Sequence, residues 1–270
     1  MPFDDDTALS ALGDGAWEGR IADGWYAGLG PLGGYVMALI LRGVVSAADD
    51  AARQPRSLTV HFLRAPEAGP AVVRAEVARA GRSLSTVTAR LEQHGELIAL
   101  ALAAVSAPRE GPVIADAPMP AVDPPTGREV PAGGGVRTPP PFTERVTMER
   151  RFGERPFTGA EHMEVGGWMG LRETRPVDAL TIALLSDAWF PAPWPRLRGL
   201  SPAPTIELTV HFRAALPLPD TLLLGRFRTT LVRDGFFDES GELWTPDGTL
   251  VAHSRQLGLL IDAEDAAPLG

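Results

Sequence analysis

The chain has 270 residues, 44% of them hydrophobic and 22% charged, with a formal net charge of −9 and no cysteine. It is long enough for two cores of ordinary size, and the missing thiols exclude disulfides and thiolate metal sites. The negative charge argues against nucleic acid as a partner, since a duplex would be repelled.

Five histidines are scattered without zinc-site spacing, so neither a metal nor a cofactor is expected. The opening MPFDDDTALS is acidic where a secretion signal would be basic. The most apolar run, LIALALAAV at 97–105, is too short for a membrane span. A cytoplasmic protein is the expectation.

In chain order, WEGRIADGWYAGLG at 17–30 reads as a strand and turn, and GGYVMALILRGVVSAAD at 33–49 as a helix apolar on nearly every side, which must therefore be covered. From Arg56 the pattern changes to short alternating segments, SLTVHFLR, AVVRAEVAR, STVTARLEQ and ELIALALAAVS, separated by turn signals. One buried helix followed by an antiparallel meander is an α+β unit. Residues 107–141 are rich in proline and glycine and read as an exposed linker.

A second unit follows the same plan. FTERVTMERRF and GGWMGLRET fit strands, and DALTIALLSDAWFP at 178–191 fits a helix capped by Asp178 and stopped by Pro191. TIELTVHFRA, LLLGRFRTTLVRDG, FFDESGELWTPDG and TLVAHSRQLGLLI then supply a meander. The organisation expected is an N-terminal unit at 1–106, the linker at 107–141, a C-terminal unit at 142–262 and a tail at 263–270.

The halves are repeats of one another. LTVHF occurs at 58–62 and again at 208–212, an offset of 208 − 58 = 150, and Gly95, Leu97 and Ala99 match Gly248, Leu250 and Ala252 at an offset of 153. The order helix, LTVHF strand, R-x-G strand (R-x-G-R-S in the first half) and G-x-L-x-A strand, given twice, resembles the double-hotdog proteins of the type II acyl-CoA thioesterase family. The likeness extends over all but the linker and tail. It implies a catalytic Asp, Thr or Ser, and Gln in the second unit: Asp187 in SDAWFP, Thr205 in PTIELTVHF and Gln256 in AHSRQLG. The chain departs from the family at Tyr35, where members often carry Gln after the paired glycines. Acyl-CoA is the implied substrate; two units in one chain already form the usual hotdog pair, which allows a monomer, while the resemblance implies further association through sheet faces or edges into a homo-oligomer.

The residues also carry readings of their own. Mapped onto the first half, Gln256 falls on Ala103, Thr205 on Pro55 and Asp187 near Arg42, so the three polar groups are special to the second half. Asp187 stands among Leu184, Leu185, Trp189 and Phe190, where a carboxylate either emerges into solvent or is held by hydrogen bonds. Gln256 shares a strand face with Ala252, Ser254 and Gly258; it is either a ligand-facing group or a buried amide tied to backbone. Thr205 also suits a strand simply as a β-branched residue.

The repeated His61 and His211 read as structural, at the contact between units. Arg79, Arg82 and Arg233 are candidates for the coenzyme phosphates as well as ordinary surface charges. The acidic segment at Asp238 and Glu239 reads as a solvated turn.

For thioester hydrolysis, Asp187 would act as general base, with Thr205 and Gln256 holding the water and an amide at the start of the Gly33 helix polarising the carbonyl. There is no G-x-S-x-G elbow. The alternatives are a catalytically silent acyl-CoA or lipid-binding double hotdog and an enoyl-CoA hydratase-like enzyme. The latter would want a His paired with Asp or Glu.

Overall fold

The computed structural model describes residues 2–28, 30–126 and 139–261; the tail expected at 263–270 lies outside them. The first half holds α1 (Pro2–Asp6), β1 (Ser10–Gly13), β2 (Ala16–Ile21), α2 (Gly33–Ala48), β3 (Gln54–Phe62), β4 (Gly69–Ala80), β5 (Leu84–Gln93) and β6 (Glu96–Ser106). The second holds β7 (Val146–Phe152), β8 (Glu164–Leu171), α3 (Ala179–Leu185), β9 (Thr205–Phe212), β10 (Leu223–Arg228), β11 (Val232–Arg233), β12 (Phe236–Trp244) and β13 (Leu250–Leu259).

Among the described residues the strands form a 13-stranded antiparallel sheet in the order β1-β2-β4-β5-β6-β3-β9-β13-β12-β10-β8-β7, with β11 beside β12. The halves join where β3 pairs with β9, and the two LTVHF segments pair with each other. Thr59 lies opposite its own repeat, Thr209, with the hydroxyl oxygens 2.8 Å apart, so a local two-fold axis passes between them. Alternation fixes the register: Leu58, Val60, Leu208 and Val210 are buried on the inner face, and a one-residue slip would turn all four outward. His61 and His211 sit on these seam strands with exposed side chains; His61 is in register with Glu207 and His211 with Ser57.

Helix α2 is enclosed as its composition requires. Every residue from Gly34 to Leu41 is buried, and the helix packs on β2 to β6 and on α3. Each fully buried Leu or Ile here contributes about 1.5–3 kcal/mol relative to exposure. The acidic opening is also built in, which its charge did not suggest. Phe3 is fully buried edge-on to Trp25, and Asp6 accepts a hydrogen bond from Trp25 Nε1 at 2.9 Å.

Residues 107–126 carry no helix or strand, and Val113 and Ile114 are exposed. Farther along, Met119 and Val122 pack on Trp168, Leu224 and Trp244, and the carbonyl of Asp123 accepts from Trp168 Nε1 at 2.8 Å. This stretch therefore docks on the second half rather than hanging free.

Candidate active site

Helix α3 is shorter than the spacing suggested. Asp178 caps it, accepting from the Thr181 amide at 2.9 Å, but the helix stops at Leu185 rather than running on to Pro191. The chain tightens there, with Asp187 N donating to Leu184 O at 3.2 Å and Ala188 N to Leu185 O at 3.4 Å, and i→i−3 bonds of this kind end a helix. Asp187 thus lies just past the helix, and its half-buried side chain turns toward the other half of the molecule.

There Asp187 Oδ2 accepts from the backbone amide of Gly34, in the first turn of α2, at 2.8 Å. The residue in the N-cap position of α2, Leu32, has no side chain able to cap, so a carboxylate from the second half serves as cap and faces the positive end of the helix dipole. Both paired glycines are needed for this approach. A Cβ on Gly34 would lie 2.4 Å from the carbonyl oxygen of Leu184, and one on Gly33 would lie 2.9 Å from Asp187 Oδ2. Burial pushes the Asp187 carboxyl up to about 6, against the lowering effect of the Gly34 and Gly33 amides.

This geometry narrows one expectation. The Gly34 amide holds Asp187, and those of Tyr35 and Val36 are bonded to Leu32 O at 3.0 and 3.2 Å. These three amides are engaged within the protein rather than presented to a substrate carbonyl.

Thr205 begins β9 and Gln256 lies on β13, which pairs with β9. Thr205 Oγ1 donates to Gln256 Oε1 at 3.0 Å. The structure therefore brings Thr205 and Gln256 into direct contact. Among the described residues no direct hydrogen bond joins Asp187 to either of them.

A fourth polar group completes the arrangement. Glu239 on β12 lies opposite Gln256 in the sheet register; its Oε1 accepts from Gln256 Nε2 at 2.8 Å and its Oε2 from the Ala192 amide at 2.7 Å. Reading the Asp238–Glu239 segment as a solvated turn is thus wrong: both residues lie within β12, and Glu239 is 6% exposed. The signal was present in the alternation of β12, which buries Phe237, Glu239, Gly241 and Leu243 on one face. Asp238 does face outward, pairing with Arg255 at 3.1 Å. Burial pushes the Glu239 carboxyl up to about 8; the Ala192 amide and the Gln256 amide oppose this, and the charge of Asp187 adds to it.

Tyr35 belongs to the core. Its hydroxyl donates to the carbonyls of Asp6 and Arg20 at 2.7 and 2.8 Å, its ring stacks on Trp25, and burial raises it to about 12. Arg79, Arg82 and Arg233 are exposed. Among the described residues no cluster of His, Cys, Asp and Glu could hold a metal, and no helix is long and apolar enough to cross a membrane.

Two family descriptions match the chain, the acyl-CoA thioesterase N-terminal domain at residues 21–106 and the acyl-CoA thioesterase C-terminal domain at 116–260. Among solved structures, a conserved hotdog-fold protein of unknown function from Alicyclobacillus acidocaldarius superposes with a TM-score of 0.87 at 31% identity, covering 96% of this chain and 98% of its own. The acyl-CoA thioesterase II TesB2 of Mycobacterium marinum gives 0.77 at 23% identity, with 96% and 97% covered, and a tesB protein of Mycobacterium avium subsp. paratuberculosis gives 0.77 at 18%, with 96% and 98% covered. At those last two identities the likeness shows the fold. The chain matches none of the proteins with curated functions. With the family's two domains in order along one sheet, the chain belongs to the type II acyl-CoA thioesterase family and is a thioesterase built as a double hotdog.

Proposed function

We propose that the protein hydrolyses acyl-CoA thioesters to the free acid and CoA, with Asp187 as general base and Thr205 and Gln256 positioning the water. The observation that carries this reading is the contact between Thr205 and Gln256 at 3.0 Å in the half that also holds Asp187, itself bonded to the Gly34 amide of α2. A carboxyl at about 6 is ionised near neutrality yet basic enough to take a proton, the compromise that general base catalysis favours. The leaving thiol, with a pKa near about 8.5, departs without a strong acid, so a carboxylate and two neutral polar groups suffice. Fixed groups that hold water in line supply the rest of the rate through orientation.

The same reading places the protein in the cytoplasm and in fatty acid metabolism, with acyl-CoA as substrate and the chain associating as a homo-oligomer. It takes 1–106 and 142–262 as the two hotdog units, joined through 107–141. Release of free thiol from a panel of acyl-CoAs tests it: turnover with at least one chain length supports hydrolysis. Binding of acyl-CoA without thiol release from any of them would make the protein a silent binder instead.

A further inference from the structure

The geometry points to Glu239 as a positioning residue that sets the orientation of the Gln256 amide and, through it, the direction in which the Thr205 hydroxyl points. The inference rests on the hydrolytic reading of the Asp187, Thr205 and Gln256 site and adds a member to it.

Both oxygens of Glu239 receive N–H donors, one from Ala192 and one from Gln256. An ionised carboxylate only accepts, so it draws Nε2 of Gln256 toward itself and turns Oε1 toward β9. Thr205 then spends its proton on Gln256 Oε1, and the lone pairs of its oxygen stay open. A water lying between Thr205 and Asp187 would meet two acceptors, one for each of its protons. Its own lone pair is left free to attack the thioester carbon.

Protonating Glu239 reverses the chain. The new O–H donates to Gln256 Oε1, the amide turns, Nε2 donates to Thr205, and the threonine proton points outward. That proton would engage the lone pair the water needs for attack. The charged groups bearing on Glu239 are Asp187, from the segment after α3, and Asp238, beside it on β12. Both are anionic and favour its protonated form, while Ala192 N–H and Gln256 on β13 favour the ionised one. With Glu239 raised to about 8 and Asp187 to about 6, turnover should rise with pH in two steps, the upper one belonging to Glu239.

Glu239→Gln is the test, because its carboxamide accepts from Ala192 and donates to Gln256, imitating the protonated form at every pH without changing shape. Thiol release and the side-chain amide signal of Gln256, identified by its loss in Gln256→Glu, are followed against pH in both proteins. The expected result for E239Q is kcat at alkaline pH lowered by at least about tenfold with KM within about twofold, and no upper step. The Gln256 signal should titrate in the wild type and stand still in E239Q. Wild-type turnover and pH profile in E239Q, or a Gln256 signal indifferent to pH in the wild type, would overturn the assignment. Should the wild type release no thiol, the hydrolytic reading falls and the amide titration alone decides the role of Glu239.

Discussion

Gly34 of the first half donates its backbone amide to the carboxylate of Asp187 in the second, at 2.8 Å, so the cap of one repeat's central helix is the proposed base of the other's chemistry. Fold and function meet in one hydrogen bond, and substitutions can separate them. Asp187→Asn keeps an acceptor for Gly34 and removes a charge that burial disfavours. Asp187→Ala leaves the amide bare. D187N should therefore be more stable than D187A by about 1 kcal/mol, measured by urea denaturation.

The ionisation of Asp187 fixes a pH dependence as well. Its folded value is raised from 3.8 to about 6, so protonation stabilises the fold below the unfolded value and that stability is lost as pH rises through about 6. D187N should exceed the wild type at neutral pH by about 1–3 kcal/mol, and the gap should close as pH falls toward the unfolded value. Equal stability of the two proteins at both pH values would mean that the carboxylate is not strained by burial.

Glu239 carries the larger shift, from 4.5 to about 8, and the same sign applies. Stability should fall as pH rises from about 4.5 to about 8, with a slope approaching about 1.4 kcal/mol per pH unit for one proton. In E239Q that part of the slope should vanish when denaturation midpoints are compared across the window.

Helix contact at the paired glycines gives a steric prediction. In Gly34→Ala the new methyl would meet the carbonyl oxygens of Leu184 and Ala183 at 2.4 and 2.9 Å, backbone atoms that cannot swing aside. The helices must separate, at a cost of about 1–3 kcal/mol, carrying Asp187 out of line. Gly199→Ala, with nothing within 4 Å, is the control and should stay within about 0.5 kcal/mol of wild type in the same melts.

Arg175 ties the acidic opening to the second half. It is 6% exposed, sits over the Phe3 ring, bonds Thr181 and pairs with Asp4 and Asp178, each at 2.9 Å. Because both carboxylates are about one-third exposed, Arg175→Ala should cost about 2–3 kcal/mol in denaturation, less than breaking a fully buried pair. No change would make the N-terminal helix dispensable.

Much of this was legible in the residues. Helix α2 was marked by its nearly unbroken apolar surface, and the strands by alternation such as Leu58 and Val60 against Thr59 and His61. The repeat and the family likeness together led to Asp187, Thr205 and Gln256; the first half's Ala103 and Pro55 lack the latter two groups. What escaped was set by contacts distant in sequence. Nothing local says that α3 should stop at Leu185, since the turn that ends it carries Asp187 to an amide 153 residues away. Glu239 was hidden by its acidic neighbour: Asp238 does face solvent, and only the period-two pattern of β12 separates the pair. Phe3 and Asp4 look like a solvated lead until Trp25 and Arg175 are beside them.

The central claim is that Asp187 takes a proton from water, and turnover of a cleavable acyl-CoA by D187N at saturating substrate tests it most directly. The asparagine keeps the Gly34 contact, so the fold stays while the base is lost. We expect kcat to fall by at least about 10²-fold, with the wild-type rate rising through the ionisation of Asp187 near 6. Turnover by D187N close to wild type, with the same dependence on pH, would contradict the account.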